Sequence, residues 1–369
     1  MKTSRLDELL RTRKILITCG TGGVGKTTLS ASIALRAAML GKRAVVITID
    51  PAKRLATSLG IGALGDRPTD LSDHLRKAME AVRKQGMKEV PAELLGSLHA
   101  IVPDTRKTFE QLVADLGFDA AGAERVKSNP IFRIFAKEFS GTNEYMAMQR
   151  LYSLHVHGEY DCIILDTPPS RNTLDFLEAP KLLARFYDDK IFQWLIVPAN
   201  KLVSGGMRKI LGLLEKLTGG NFMSHLIDFA SSLFEVQISF KANLGRVTEM
   251  LESKTTGFIL VASPSPENGP EIAHFIDSVE KHRFRFDGLI LNRTLGYLKP
   301  GNPTDQRDSD LKRAFEVLEA IQFREARANE DLKDRIGMSA AFRLPELARD
   351  VHSVEDLVHV AMAFDRSLP

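Results

Sequence analysis

Short runs of continuous apolar, β-branched residues alternate along this chain with segments whose apolar residues recur every three to four positions. KILITC (14–19), KRAVVITID (42–50) and EYDCIILD (159–166) are of the first kind. TTLSASIALRAAML (27–40) is of the second, with Leu29, Ile33, Ala37 and Leu40 on one face and Gly41 at the C-cap. Strands that are apolar throughout are covered on both faces, so the alternation predicts an α/β fold, a mostly parallel sheet flanked by helices. Ligand sites in such sheets lie at the carboxyl ends of the strands. Here those ends carry the loop after Cys19, Asp50 and Asp166.

Two stretches read as helical insertions into a single domain spanning 1–369. Residues 66–135 are mostly charged amphipathic helix, including LSDHLRKAMEAVRK with Leu71, Leu75, Ala78, Met79 and Val82 on one face. Residues 174–252 are richer in large apolar side chains, among them Phe186, Phe192, Trp194, Met223 and Phe229, and between Gly219 and Phe234 the one charged residue is Asp228. Further on, GYLKPGNPTDQRDSD (296–310) reads as a polar loop and residues 309–335 as a charge-laced helix with a solvated face. HSVEDLVHVAMAF (352–364) is periodic but carries little positive charge, unlike a membrane-surface helix.

Composition narrows the function classes. A net charge of +3, from 50 basic and 47 acidic residues well mixed along the chain, leaves no electrostatic footprint for nucleic acid. The charged start MKTSRLDELLRTRK lacks the apolar core of a signal peptide, and IFQWLIVPAN (191–200) is far shorter than the roughly 20 residues of a spanning helix. A soluble, cytoplasmic protein is expected. The two cysteines, Cys19 and Cys162, each fall inside an apolar run and read as small core residues in a reducing compartment.

CGTGGVGKTT (19–28) links the first strand to the first helix and matches G-x-x-x-x-G-K-[ST] through Gly20, Gly25, Lys26 and Thr27. The cofactor-binding stretch runs through Gly20, Thr21, Gly22, Gly23, Val24, Gly25, Lys26, Thr27 and Thr28. Its backbone N–H groups cradle a phosphate, Lys26 reaches the β and γ phosphates of ATP, and the Thr27 hydroxyl ligates Mg²⁺. An aspartate after a buried strand also serves as a helix N-cap. Three strand ends meeting at one place favour a Mg²⁺-nucleotide site for Asp50 and Asp166.

GTGGVGKTT, IDPAKRLATSLG (49–60), FSGTNEYMAMQRL (139–151), DTPPSRNTLDFLEAP (166–180), LILNR (289–293) and RLPELARDV (343–351) occur in the order found in the ArsA family of ATPases, which the chain resembles over most of its length. That family includes arsenite-pump ATPases and ATPases that deliver tail-anchored membrane proteins. The resemblance implies that Asp50 positions and activates the attacking water, and that Asp166 holds Mg²⁺ through water. It further implies that Asn292 recognises adenine and that a loop at Pro345 packs on the base. On residue type alone, Asn292 reads as a turn residue after strand GLILN.

The chain departs from the family pattern at Thr21, where relatives carry a lysine that reaches a dimer partner's phosphates. Lys53, Arg54 and Arg171 are the nearby cations that could replace it. The CxxC zinc motif and the arsenite-binding cysteine cluster are absent from the sequence, so no zinc site is expected. With one P-loop and no internal repeat, the resemblance implies a homodimer. In the family, helices from 174–252 line a groove for a hydrophobic protein client, and a membrane receptor is a further partner. An ATPase subunit of an anion efflux pump and a small-molecule kinase are the alternative functions.

Overall fold

Five buried residues, Ile15–Cys19, form β1 near the middle of a sheet that has eight strands among the described residues, in the order β3-β4-β2-β5-β1-β6-β7-β8. The computed structural model describes residues 4–49, 54–62, 64–130, 142–167, 178–180, 225, 228, 231–232, 235–295, 309–336, 342–347 and 350–365. In chain order the elements are α1 (Arg5–Thr12), β1, α2 (Lys26–Met39), β2 (Arg43–Thr48), α3 (Arg54–Ser58), β3 (Thr69–Asp70), α4 (Ser72–Lys84) and β4 (Ser97–Ile101). There follow α5 (Thr105–Asp115), α6 (Ala120–Ser128), α7 (Thr142–His157), β5 (Cys162–Asp166), α8 (Gln237–Glu252) and β6 (Thr256–Ala262). The last are α9 (Gly269–Lys281), β7 (Phe286–Thr294), α10 (Ser309–Ile336), β8 (Phe342–Pro345) and α11 (Val354–Ala363).

All pairings are parallel except β3 with β4. Parallel pairing follows from the apolar runs: β5 and β6, like β1, are buried at every position. The chain leaves β1 toward β2 and leaves the neighbouring β6 toward β7, so the connections diverge between β1 and β6. A crevice opens at such a reversal, on the carboxyl side of the strands.

The chain divides into two compact units, one made of 1–103, 153–177 and 251–369, the other of 104–152 and 178–250. The first contains the sheet. Its core includes the predicted stripe of α4, with Leu71, Leu75, Ala78, Met79 and Val82 all buried. Residues 66–103 therefore differ from the expected helical insertion: β3 and β4 are sheet strands, and α4 packs on the same core as α11. SLHAI escapes a pattern reading because this outer strand is half-exposed at Ser97 and His99. α2 is buried almost all round. Its Arg36 is fully buried and donates to both oxygens of Asp7, at 2.8 and 2.9 Å, and to both of Asp365, at 3.1 and 2.8 Å. A guanidinium taken out of water survives there because its charge is met by carboxylates in forked geometry.

The second unit is helical in its described residues. Leu112, Val113, Leu116, Val126, Tyr145, Met146, Val236, Phe240 and Leu244 form its apolar cluster. Inside it Asn243 Nδ2 donates to Tyr145 Oη at 2.9 Å and to Gln149 Oε1 at 2.8 Å. Most of the 174–252 stretch, with Phe186, Phe192, Trp194, Met223 and Phe229, lies outside the described residues.

Candidate functional site

The glycine loop leaves β1 at Cys19 and enters α2 at Lys26 through Gly25, whose φ of 92° lies in the left-handed region. A side chain at Gly25 would collide with the Asn292 amide, and one at Gly20 (φ 146°) with the Val261 carbonyl oxygen. Glycine is thus required twice, once against β7 and once against β6. Lys26 is buried, and its Nζ donates to the carbonyls of Gly20 at 2.6 Å and Thr21 at 2.7 Å, folding the ammonium over the loop. The first amides of any helix lack acceptors within it, and the helix dipole adds positive potential there.

Two strands and the first turns of α2 place hydroxyls around one carboxylate on a third strand. Asp166 ends β5 in register with Thr18 of β1 on one side and Thr48 of β2 on the other. Its side chain is fully buried, and Oδ2 accepts from Thr27 Oγ1 at 2.7 Å and Thr48 Oγ1 at 2.8 Å. Ser30 Oγ lies 3.5 Å from Oδ1 and 2.5 Å from Thr18 Oγ1. Thr167 Oγ1 donates to the Thr18 carbonyl at 2.8 Å. The donor set at Thr27 and Asp166 is all oxygen, which suits a hard cation such as Mg²⁺.

Beside this cluster a cavity of about 420 Å³ is lined by loop and α2 residues Gly23, Gly25, Lys26, Thr27 and Thr28, by Thr57 and Ser58, by Thr167, and by Asp350, Val351 and His352. A second cavity of about 100 Å³ is lined by Gly25, Thr28, Leu29, Asn292, Arg293, Leu344, Pro345, Glu346, Leu347, Asp350, Val351, Val360 and Ala363. It is shaped by strand ends and α11, with Thr294 Oγ1 donating to the Leu344 carbonyl at 3.1 Å to hold β7 to β8. Asn292 Nδ2 donates to the Val24 carbonyl at 2.8 Å. Contrary to the turn reading, Asn292 lies within β7. The register of β7 on β8 shifts between Leu291 and Thr294, and Arg293 takes a φ of 65°. That irregularity accompanies the approach of Asn292 to the glycine loop.

The structure thus gathers the loop residues, Lys26, Thr27, Thr28, Asp166, Asn292 and Pro345. Asp50, Lys53 and Arg171 lie outside the described residues. Thr18, Thr48, Ser30, Thr57, Ser58 and the 350–352 segment were not foreseen. A lone hydroxyl in an otherwise apolar strand, as at Thr18 and Thr48, was the available signal. Burial pushes the Cys19 thiol up to about 12, so it stays protonated beside the loop.

The model of the anion-transporting ATPase family, ArsA, matches residues 13–361. The chain belongs to this family. It is accordingly an ATPase. Among relatives of the ArsA-family protein, ATPase GET3 of Chaetomium globosum is 24% identical over 355 residues, covering 96% of this chain and 90% of the relative. A putative arsenical pump-driving ATPase 2 of Aquifex aeolicus is 26% identical over 288 residues, covering 78% of this chain and 81% of the relative. ATPase get3 of Neurospora crassa is 23% identical, with coverage of 96% and 90%. Among the described residues of this ATPase, no helix is long and apolar enough to cross a membrane.

Proposed function

We propose that this ATPase binds Mg²⁺·ATP with its phosphates on residues 20–28 and its adenine against Asn292 and Pro345, and that hydrolysis opens and closes a homodimer that holds and releases an apolar protein client. The observation that carries the nucleotide half is the buried Asp166 carboxylate joined to Thr27 and Thr48 beside the loop cavity. Thr27 and Asp166 would hold Mg²⁺, Asp166 through water; bound there, the ion supplies charge neutralisation across the β and γ phosphates. Asp50 orients the attacking water and accepts its proton. Phosphoryl transfer asks little else of a protein than such positioning and charge.

The client half is supported by similarity to GET3 ATPases along 96% of this chain. A thiol-based pump for arsenite fits the residues less well. Cys19 ends β1 and Cys162 begins the adjacent β5, and Ile15 pairs with Ile163. The thiols are therefore about five residues apart along the strands, roughly 16 Å at a rise of about 3.3 Å per residue. Both are buried and cannot close on one ion.

The test combines two assays on the purified chain. A labelled transmembrane peptide is offered with an ATP analogue or ADP, and ATPase rate is followed with and without antimonite. Capture with the analogue, release with ADP and indifference to antimonite are expected. Antimonite stimulation without capture would transfer the function to an anion pump, and phosphate appearing on an acceptor instead of in solution would make it a kinase.

A further inference from the structure

We infer that Asp350 is the ribose-recognition residue of this ATPase, its carboxylate accepting hydrogen bonds from the 2′- and 3′-hydroxyls of the bound nucleotide. The inference rests on the adenine and phosphate placement proposed above and extends it to the sugar.

In any adenine nucleotide the ribose is the covalent link between base and phosphates, so it must lie where the base cavity and the phosphate cavity meet. Four residues line both: Gly25, Thr28, Asp350 and Val351. Gly25 and Thr28 belong to the loop and first turn of α2. Asp350 and Val351 come from the segment between β8 and α11. Of these four, Asp350 alone carries an acceptor-only side chain, and ribose offers two hydroxyl donors.

Charge argues for the same assignment. A carboxylate turned toward the triphosphate would meet like charge, whereas neutral hydroxyls are its natural complement. Glu346 does not compete for this role. It lines the base cavity without reaching the phosphate cavity, and Arg293 Nε stands 3.8 Å from its Oε2. Val351 adds an apolar surface against the carbon side of the sugar. Asp350 is exposed, so its hydrogen bonds compete with water, and each sugar contact is worth about ten-fold in affinity rather than the larger factors of an enclosed site.

The experiment measures dissociation constants of ADP, 2′-deoxyADP and 3′-deoxyADP, with Mg²⁺, for the full chain and for Asp350→Ala and Asp350→Asn. The native protein is expected to prefer ADP to each deoxy analogue by roughly ten-fold. Asp350→Ala removes both contacts, so ADP should weaken by roughly 100-fold and each deoxy analogue, which keeps one hydroxyl, by roughly ten-fold, leaving the three ligands bound alike; Asp350→Asn, which keeps one acceptor oxygen, should fall between. An undiminished ADP preference in Asp350→Ala, or equal weakening of all three ligands, overturns the ribose role and leaves the nucleotide site standing. Failure of the native protein to bind any of them overturns the site reading and this inference together.

Discussion

The hydroxyl of Thr27, second residue of α2, donates to Oδ2 of Asp166 at 2.7 Å, tying the turn after the glycine loop to the end of the strand beside it. Because the same oxygen also accepts from Thr48, the carboxylate is held from a helix and a strand at once. Asp166→Asn turns this acceptor into an amide with lower charge, and ATPase activity at saturating Mg²⁺ should fall by about 100-fold or more. Thr27→Ala should cost about 10- to 100-fold and move the Mg²⁺ titration midpoint upward. Steady-state rates across a Mg²⁺ series give both numbers; unchanged midpoints in both variants would remove the metal from this corner.

Lys26 and Asp50 should separate binding from chemistry. On the proposed roles, the Lys26 ammonium would neutralise phosphate charge already present in the ground state, whereas Asp50 would act on the water. Lys26→Ala should abolish tight Mg²⁺·ATP binding. Asp50→Asn should keep binding and slow turnover by about 10²- to 10⁴-fold, the range of a lost general base. Calorimetry beside rapid-quench kinetics distinguishes them, and equal loss of affinity in both would contradict the division.

Thr21 supplies a direct test of catalysis across a dimer. Its carbonyl already accepts from Lys26, and the side chain is half-buried at the loop. If no other cation stands in, Thr21→Lys should raise turnover by part of the roughly 10³-fold or more that a cation supplied in trans provides. That gain should vanish when dimerisation is blocked. If Arg54 or Arg171 already serves, Thr21→Lys does little and removal of that arginine lowers the rate. Turnover insensitive to all three substitutions would show that no such charge operates.

The apolar runs were legible because β1 and β5 are buried on both faces, leaving a periodicity that little else produces. Leu71 to Val82 were legible for the related reason that one face of α4 meets a core. β4 was not: an outer strand with Ser97 and His99 half-exposed looks like any mixed segment. Thr18 and Thr48 carried a faint signal, as hydroxyls inside apolar runs, but their nearness to one carboxylate is visible only when register sets both level with Asp166. Asp350 falls inside RLPELARDV, yet a charged residue between β8 and α11 acquires a role of its own only where two cavities meet. The role of Asp50 is what the resemblance implies, and Lys53 and Arg171 are named for their places in the sequence, near the motifs.

Cys19 and Cys162 should behave as core atoms. Burial pushes both thiols from 9.0 up to about 12. A raised folded pKa means that each contribution to stability is complete below the unfolded value and is lost as pH rises through the folded one. Stability should therefore decline between pH 9.0 and about 12, and Cys162→Ala should flatten that decline. Thiol reagents at pH 8 should label the native protein only as fast as it unfolds. Rapid labelling of either cysteine without unfolding would contradict its burial.

The central claim, that nucleotide binding reshapes an apolar client surface, is tested most directly by hydrogen exchange across residues 174–252 in nucleotide-free, ADP and ATP-analogue states. A nucleotide shifts such an equilibrium only by binding the two forms differently. Dimer mass and capture of a transmembrane peptide are read on the same samples. The account predicts that the analogue gives a dimer, altered protection around Trp194, Met223 and Phe229, and peptide capture, all reversed by ADP. Uniform exchange in the three states with no capture, in a protein that still hydrolyses ATP, would contradict it.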